Sequence, residues 1–331
     1  MEIINKIKKI IIVVIGIILV AAGLTVATCV GSKNIEFNTV VNSIFHFDGS
    51  IDMILVRDAR IPRAIVSFII GGLLALCGSV MQGITRNPIA EPTVLGITQG
   101  ATLAISFSSV FLGTSQGLKG VLMAMIGAIL AGLAILLCSI KFGASRDISK
   151  LLLVGTAIST FTLSLASTIA LIGNRSQELA FWLAGGLGNV TWEDVLILLF
   201  VGLTLGICLL FFAGKINVIS LGDEVSLSLG VKPELIRCIT ILLMIPICAA
   251  CVSVGGNIAY VGLIIPHIIR RAVTSDYREL MPISFLYGGA LLVWADILAK
   301  MVNVPYETPV GLFTAILGVP FFLYLVRRER A

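Results

Sequence analysis

The sequence predicts an all-α, polytopic membrane protein of about ten transmembrane helices, and three observations carry that reading. Only 12% of the 331 residues are charged and 58% are hydrophobic, too few charges to cover the water-facing surface of a soluble chain of this length. Residues 10–32, 64–85, 92–118, 120–140, 151–174, 195–214 and 238–269 contain no Asp, Glu, Lys or Arg. A helix needs ~20 apolar residues to cross a ~30 Å hydrocarbon core, so each of these runs is long enough to span. The 33 glycines suit a bundle whose helix backbones pack closely.

Helices are expected near 8–30, 62–84, 93–112, 119–140, 151–173, 194–213, 237–254, 257–272, 281–301 and 309–326. The first begins "KIKKIIIVVIGIILVAAGLTVATC", a basic start, an apolar stretch and a cysteine, as in a lipoprotein signal. Thr28 before Cys29 is larger than the residue such a signal needs, and the run is long enough to span, so it reads as a helix that stays attached. Residues 238–269 would make ~48 Å of helix, too long for one span. "SVGGN" at 253–257 supplies the break, because adjacent glycines unwind a helix at little steric cost. Pro62 and Pro309 fall at expected first turns, where a missing N–H costs little. Pro246, Pro266 and Pro320 fall mid-span and are expected to kink or interrupt their helices.

The charges orient the bundle. With ten spans and a cytoplasmic N-terminus the C-terminus is also cytoplasmic, and 16 of the 23 Lys and Arg lie inside. Outside remain Lys33, Arg57, Arg60, Arg63, Lys119, Arg175 and Lys300. The stretch "RDARIPRAIV" at 57–66 is therefore the largest external basic cluster, against the usual bias. The net charge of +5 follows from basic cytoplasmic loops and implies no nucleic-acid partner.

Catalytic signatures are lacking. "GTSQGLKG" at 113–120 has the wrong spacing for a phosphate-binding loop and no Ser or Thr after Lys119, and there is no HExxH or GxSxG. The seven cysteines form no CxxC pair and read as small packing residues, and His46 and His267 have no ligand-spaced companions, so neither metal nor cofactor is expected. An ion-coupled carrier is one reading, with Asp296 as its coupling carboxylate, but Lys300 stands one turn away as its partner. Uphill transport would then draw its energy from another polypeptide.

Three polar stretches interrupt the bundle: "QGITRNPIAEPTVLGITQGA" (82–101), "NVISLGDEVSLSLGVKPELIR" (217–237) and "YVGLIIPHIIRRAVTSDYREL" (260–280). In the second, Gly222 to Gly230 reads as a short helix. Asp223 and Glu224 sit in its first turn, where acids suit the positive helix end, and Gly230 is a C-cap. Such a helix in a cytoplasmic loop suits docking into a groove on a partner.

Taken together, "RIPRAIVSFIIGGLLALCGSVMQGITRNPIAEPTVLGITQGA", "SLGDEVSLSLGV", "GNIAYVGLIIPHIIRRAVTSDYRELMPIS" and "ETPVGLFTAILGVPFFLYLVRR" resemble the permease subunits of bacterial iron-siderophore and vitamin B12 ABC importers, from about residue 55 to the C-terminus. The resemblance implies one transmembrane permease domain over 1–331 in the bacterial inner membrane, with 217–237 as its cytoplasmic coupling loop. It implies a second permease subunit, identical or a sister chain, two cytoplasmic ATPase subunits that hydrolyse the ATP, and an extracytoplasmic substrate-binding protein. The implied cargo is a ferric siderophore or similar chelate, with cobalamin or heme as alternatives. Leu221, Gly222, Asp223, Glu224, Ser228, Leu229 and Gly230 match the segment that meets the ATPase. Arg60 and Arg63 match arginines that meet carboxylates of the binding protein, and Lys300 stands where relatives often carry a third arginine. A lysine keeps that charge but not the bidentate fork.

Overall fold

The computed structural model describes residues 2–92, 96–113, 117–141 and 148–329, and among them every regular element is helical. The chain opens with α1 (Glu2–Cys29), α2 (Phe37–Phe45) and α3 (Ile51–Leu55), and a π-helical turn (Val56–Arg60) leads into α4 (Ile61–Thr85). Next come α5 (Ile97–Phe107) with a π-helical extension (Ser108–Leu112), α6 (Gly117–Lys141), α7 (Ile148–Ile172), α8 (Ser176–Ala184) and α9 (Trp192–Leu210). Two short helices, α10 (Ala213–Ser220) and α11 (Asp223–Ser228), precede α12 (Pro233–Gly255), α13 (Val261–Ala272), α14 (Tyr277–Met301) and α15 (Val310–Glu329).

Seven helical stretches of the described residues are long and apolar enough to cross a membrane: Ile7–Cys29, Ile51–Thr85, Gly117–Cys138, Leu153–Ile172, Trp192–Leu210, Pro233–Gly255 and Tyr277–Met301. Two shorter apolar stretches, Ile97–Leu112 and Val310–Leu325, and the still shorter α13 complete the order expected from the sequence. The expected starts at 93 and 151 lie respectively in and beside residues outside the description.

Some expectations change. Pro62 lies in the first turn of α4, as expected, but that turn does not begin the apolar stretch. α3, the π turn and α4 run on as one stretch, Ile51–Thr85, of 35 residues or ~52 Å, so it projects well beyond a ~30 Å core. The wide turn just before Pro62 accommodates its ring and missing N–H. Pro246, Pro266 and Pro320 lie inside continuous α12, α13 and α15 and interrupt none of them. The break after α12 does occur, at Gly256 (φ +66°), but α13 starts only at Val261. Its 12 residues reach ~18 Å, less than a full span. A helix end inside an apolar bundle must find hydrogen-bond partners. The Glu91 carboxylate accepts the Tyr260 N–H at 2.7 Å, Gly186 N–H donates to Gly255 O at 3.1 Å, and the Asn257 amide donates to Leu183 O at 3.4 Å.

α4 is the centre of the bundle, buried on nearly every face. It packs against α14 where Gly71 meets Gly288 and against α13 where Gly78 meets Gly262, and a Cβ at any of these would collide with the opposite backbone. α5 meets α6 in the same way at Gly100 and Gly127. α1 is held to α14 along its length. Tyr287 donates to Ile12 O at 2.7 Å, Trp294 Nε1 donates to Leu19 O at 3.2 Å, and Lys9 pairs with Glu279 at 2.5 Å.

Candidate functional site

At the end that the charge bias puts outside, the π turn carries Arg60, which faces the end of α1, and the start of α4 carries Arg63, which faces the C-terminal part of α14. Both arginines are buried, and both find partners within the chain. Arg60 donates Nη1 to the carbonyls of Thr28 (3.0 Å) and Cys29 (2.8 Å), and Nη2 to that of Lys33. It thereby ties α4 to the end of α1. Arg63 divides its guanidinium between two carboxylates. Nε and Nη2 donate to Asp296 at 3.0 and 2.8 Å, and Nη1 donates to both oxygens of Glu307 at 2.7 and 2.8 Å. Lys300 is buried with them and pairs with the second Asp296 oxygen at 2.8 Å. Asp296 thus lies between two cations, its side chain 1% exposed, whereas Glu307 in the loop after α14 is 48% exposed. A carboxylate held this way cannot pick up and release a coupling ion without stranding two buried cations, which counts against the carrier reading.

At the opposite end of α4 the chain turns through Arg86, in the left-handed region (φ 53°), and a second charged cluster forms. Arg237 of α12 is buried, donates Nε to Ile84 O at 2.9 Å, and grips both oxygens of Asp223 at 2.7 and 3.1 Å. Arg86 reaches the same carboxylate at 3.2 Å. Asp223 opens α11, which Gly222 (φ +122°) and Gly230 (φ +77°) bound as expected. The Ser226 hydroxyl donates to Val218 O or Gly222 O at 3.0 and 2.6 Å and fastens α11 to α10. α10 is in turn joined to α14, because Asn217 accepts the Tyr277 N–H at 2.8 Å and donates to Asp276 at 2.6 Å. That amide, with the Arg278 N–H, holds the Asp276 carboxyl below its usual range.

With Ser226 buried and Asp223 held by Arg237, α11 shows the solvent a largely apolar face. Leu221, Val225, Leu227 and Leu229 are exposed, Leu221 by 65%, and Glu224 and Ser228 are exposed beside them. Single exposed apolar residues are ordinary, but three leucines and a valine within nine residues make a continuous exposed apolar face on a fixed base.

Between the two ends lies an uncharged polar groove of about 280 Å³, lined by Thr98 and Gln99 of α5, Thr156, Ser159 and Thr160 of α7, and Asn257 at the α12–α13 break. Along α7 the exposed hydroxyls continue through Ser164, Ser167 and Thr168. Each from Thr160 onward donates to the carbonyl four residues back, so its lone pairs face outward. Among the described residues, no group of three or more His, Cys, Asp or Glu could hold a metal ion.

The model of the FecCD transport family matches residues 12–328. The chain belongs to this family. It is 38% identical over 97% of its length, and 84% of the relative's, to the iron(3+)-hydroxamate import system permease protein FhuB of Bacillus subtilis (strain 168). It is 36% identical over 96% of its length, and 94% of the relative's, to the Fe(3+)-citrate import system permease protein YfmD of the same organism. Among solved structures, a metal-chelate type ABC transporter in an inward-facing conformation matches with TM-score 0.81 and 27% identity, covering 95% of this chain and 97% of that one. This FecCD chain is thus a multi-pass membrane protein and a transport component rather than a catalytic one.

Of the residues that sequence reasoning singled out, the structure brings Arg63 and Lys300 together on Asp296, sets Arg60 apart on the end of α1, and folds 223–228 as a short helix. Sequence reasoning missed Glu307, Arg86 and Arg237 as partners. Glu307 lies 244 residues from Arg63 and Arg237 lies 153 from Ile84, so spacing offers no signal for either contact. The α7 hydroxyls were open to detection, since Thr156, Thr160, Ser164 and Thr168 recur at four-residue intervals in a charge-free run.

Proposed function

We propose that this FecCD chain is the membrane-embedded subunit of an ATP-driven importer of ferric siderophores in the bacterial inner membrane. The observation that carries the reading is the full-length similarity to permeases named for ferric hydroxamate and ferric citrate. Those names favour an iron chelate over cobalamin or heme. Residues 1–331 act as one permease domain with both termini in the cytoplasm. A second permease, identical or a sister chain, closes the path. The uncharged groove and the α7 hydroxyls line it, since exposed polar side chains on a span belong against water rather than lipid.

Two ATPase subunits dock on the 217–237 loop. Leu221 and Leu229 supply apolar contact, Glu224 and Ser228 the rim, and Gly222 and Gly230 the turns that bound the helix. Asp223 contributes through its clamp to Arg237 and Arg86. A substrate-binding protein docks at the other end, on the edge that carries Arg60, Arg63 and Lys300, and these residues fix its register.

The test is co-purification with a candidate ATPase and uptake into proteoliposomes supplied with the binding protein and ATP. Ferric hydroxamate should accumulate and cobalamin should not. A reporter fused after Arg330 should read cytoplasmic, and one inserted between Gly113 and Gly117 external. Uptake driven by an ion gradient without ATP would refute the proposal.

A further inference from the structure

Resting on that docking reading, we propose that Glu307 is a resident stand-in for the binding protein's carboxylate, and that docking exchanges one acid for the other on Arg63. The guanidinium has two faces of unequal standing. Its inner face is committed to Asp296, which is fully buried and also holds Lys300. Its outer edge, Nη1, is bound among the described residues by Glu307, whose side chain is half exposed. The loop backbone around Glu307 is pinned by Thr308, whose N–H and hydroxyl both donate to Ala299 O, at 3.1 and 3.0 Å. Glu307 can therefore swing off Arg63 by side-chain rotation alone, with the loop in place.

The charge count supports exchange. Arg63, Lys300, Asp296 and Glu307 together are neutral. Removing Glu307 leaves two cations facing one carboxylate, and this excess positive charge at a partly exposed edge favours a replacement anion. An incoming carboxylate at Nη1 restores both the balance and the hydrogen bonds. Arg60, three residues earlier in the chain, is held by the carbonyls of Thr28, Cys29 and Lys33 and adds a further positive charge to this end of the molecule. The partner surface that fits is acidic, with a carboxylate long enough to reach a guanidinium edge just below the surface. Because one carboxylate replaces another, docking gains register more than affinity, and the free permease never holds an unpaired buried arginine.

The experiment measures binding of the substrate-binding protein that supports uptake through this permease to the assembled importer in nanodiscs, at low and high salt. Glu307→Gln should tighten binding by about fivefold at low salt, the size of one partly exposed ion pair. The gain should shrink as salt screens it. Glu193→Gln removes another exposed acid, in the first turn of α9, and should tighten binding less. In an Arg63→Gln background the Glu307→Gln gain should vanish. If Arg63→Gln fails to assemble, Arg63→Lys takes its place, since it keeps a charge for Asp296 but offers no second edge. Equal gains from Glu307→Gln and Glu193→Gln, or a gain that survives loss of Arg63, would reduce the effect to long-range charge and overturn the exchange. No gain at all, with Arg63 variants still weakening binding, would overturn it as well while leaving the docking reading intact. Arg63 variants that bind as the wild type does would sink the docking reading itself.

Discussion

The two ends of α4 carry charged clusters built in opposite ways. At the Arg63 end the shared anion, Asp296, is buried to the last atom, its cations are buried with it, and only the accessory Glu307 faces water. At the Arg86 end the shared anion, Asp223, is 40% exposed, and Arg237 is the buried member. A desolvated carboxylate between two desolvated cations depends on each member, because losing one leaves uncompensated charge in a medium that cannot solvate it. A partly exposed carboxylate gripped from below can be lost with water as a substitute. The first cluster is therefore structural and internally neutral, and the second fixes the posture of α11 without holding the bundle together.

That contrast is open to breakage, and the largest effect is expected at Asp296. Asp296→Ala should destabilise the chain by ~3–5 kcal/mol, the cost of breaking a buried pair, read as loss of monodisperse protein on heating in detergent. A variant as stable as the parent would show that water reaches the cluster. At the other end, Leu221→Glu with Leu229→Glu should abolish co-purification with the ATPase while expression holds, because charge enters an apolar docking face. Asp223→Asn should keep most assembly but lower cargo-stimulated ATP hydrolysis, since α11 loses its charged tether. Asp223→Lys with Glu224→Lys should do so more strongly, by setting a cation against Arg237 and Arg86. Unaltered coupling in either variant would remove the clamp from the mechanism. The smallest effect is expected for Glu307→Gln on stability, ~1 kcal/mol or less, because a half-exposed pair is screened. A loss as large as that of Asp296→Ala would place Glu307 inside the structural cluster and blur the distinction between the ends.

Much of this was legible in the residues alone. Charge-free runs near 20 residues can do little but span, the glycine pair at 255–256 marks where the long seventh run breaks, and Gly222 and Gly230 bracket a helix whose ends need unusual backbone angles. The basic bias and the Asp296–Lys300 spacing were equally local. What tertiary structure alone decided is which groups face one another and which face water. Arg60 and Arg63 read as an external basic cluster at the end of a span, yet the helix extends back beyond Pro62 and folds Arg60 against α1 and Arg63 against α14. Asp223 and Glu224 read alike as first-turn acids, yet one faces Arg237 and the other the solvent. Periodicity places a side chain on a face of its own helix, but only packing supplies the opposite face. Because electrostatic strength depends on burial, the energetic weight of each charge was settled there and not in the sequence.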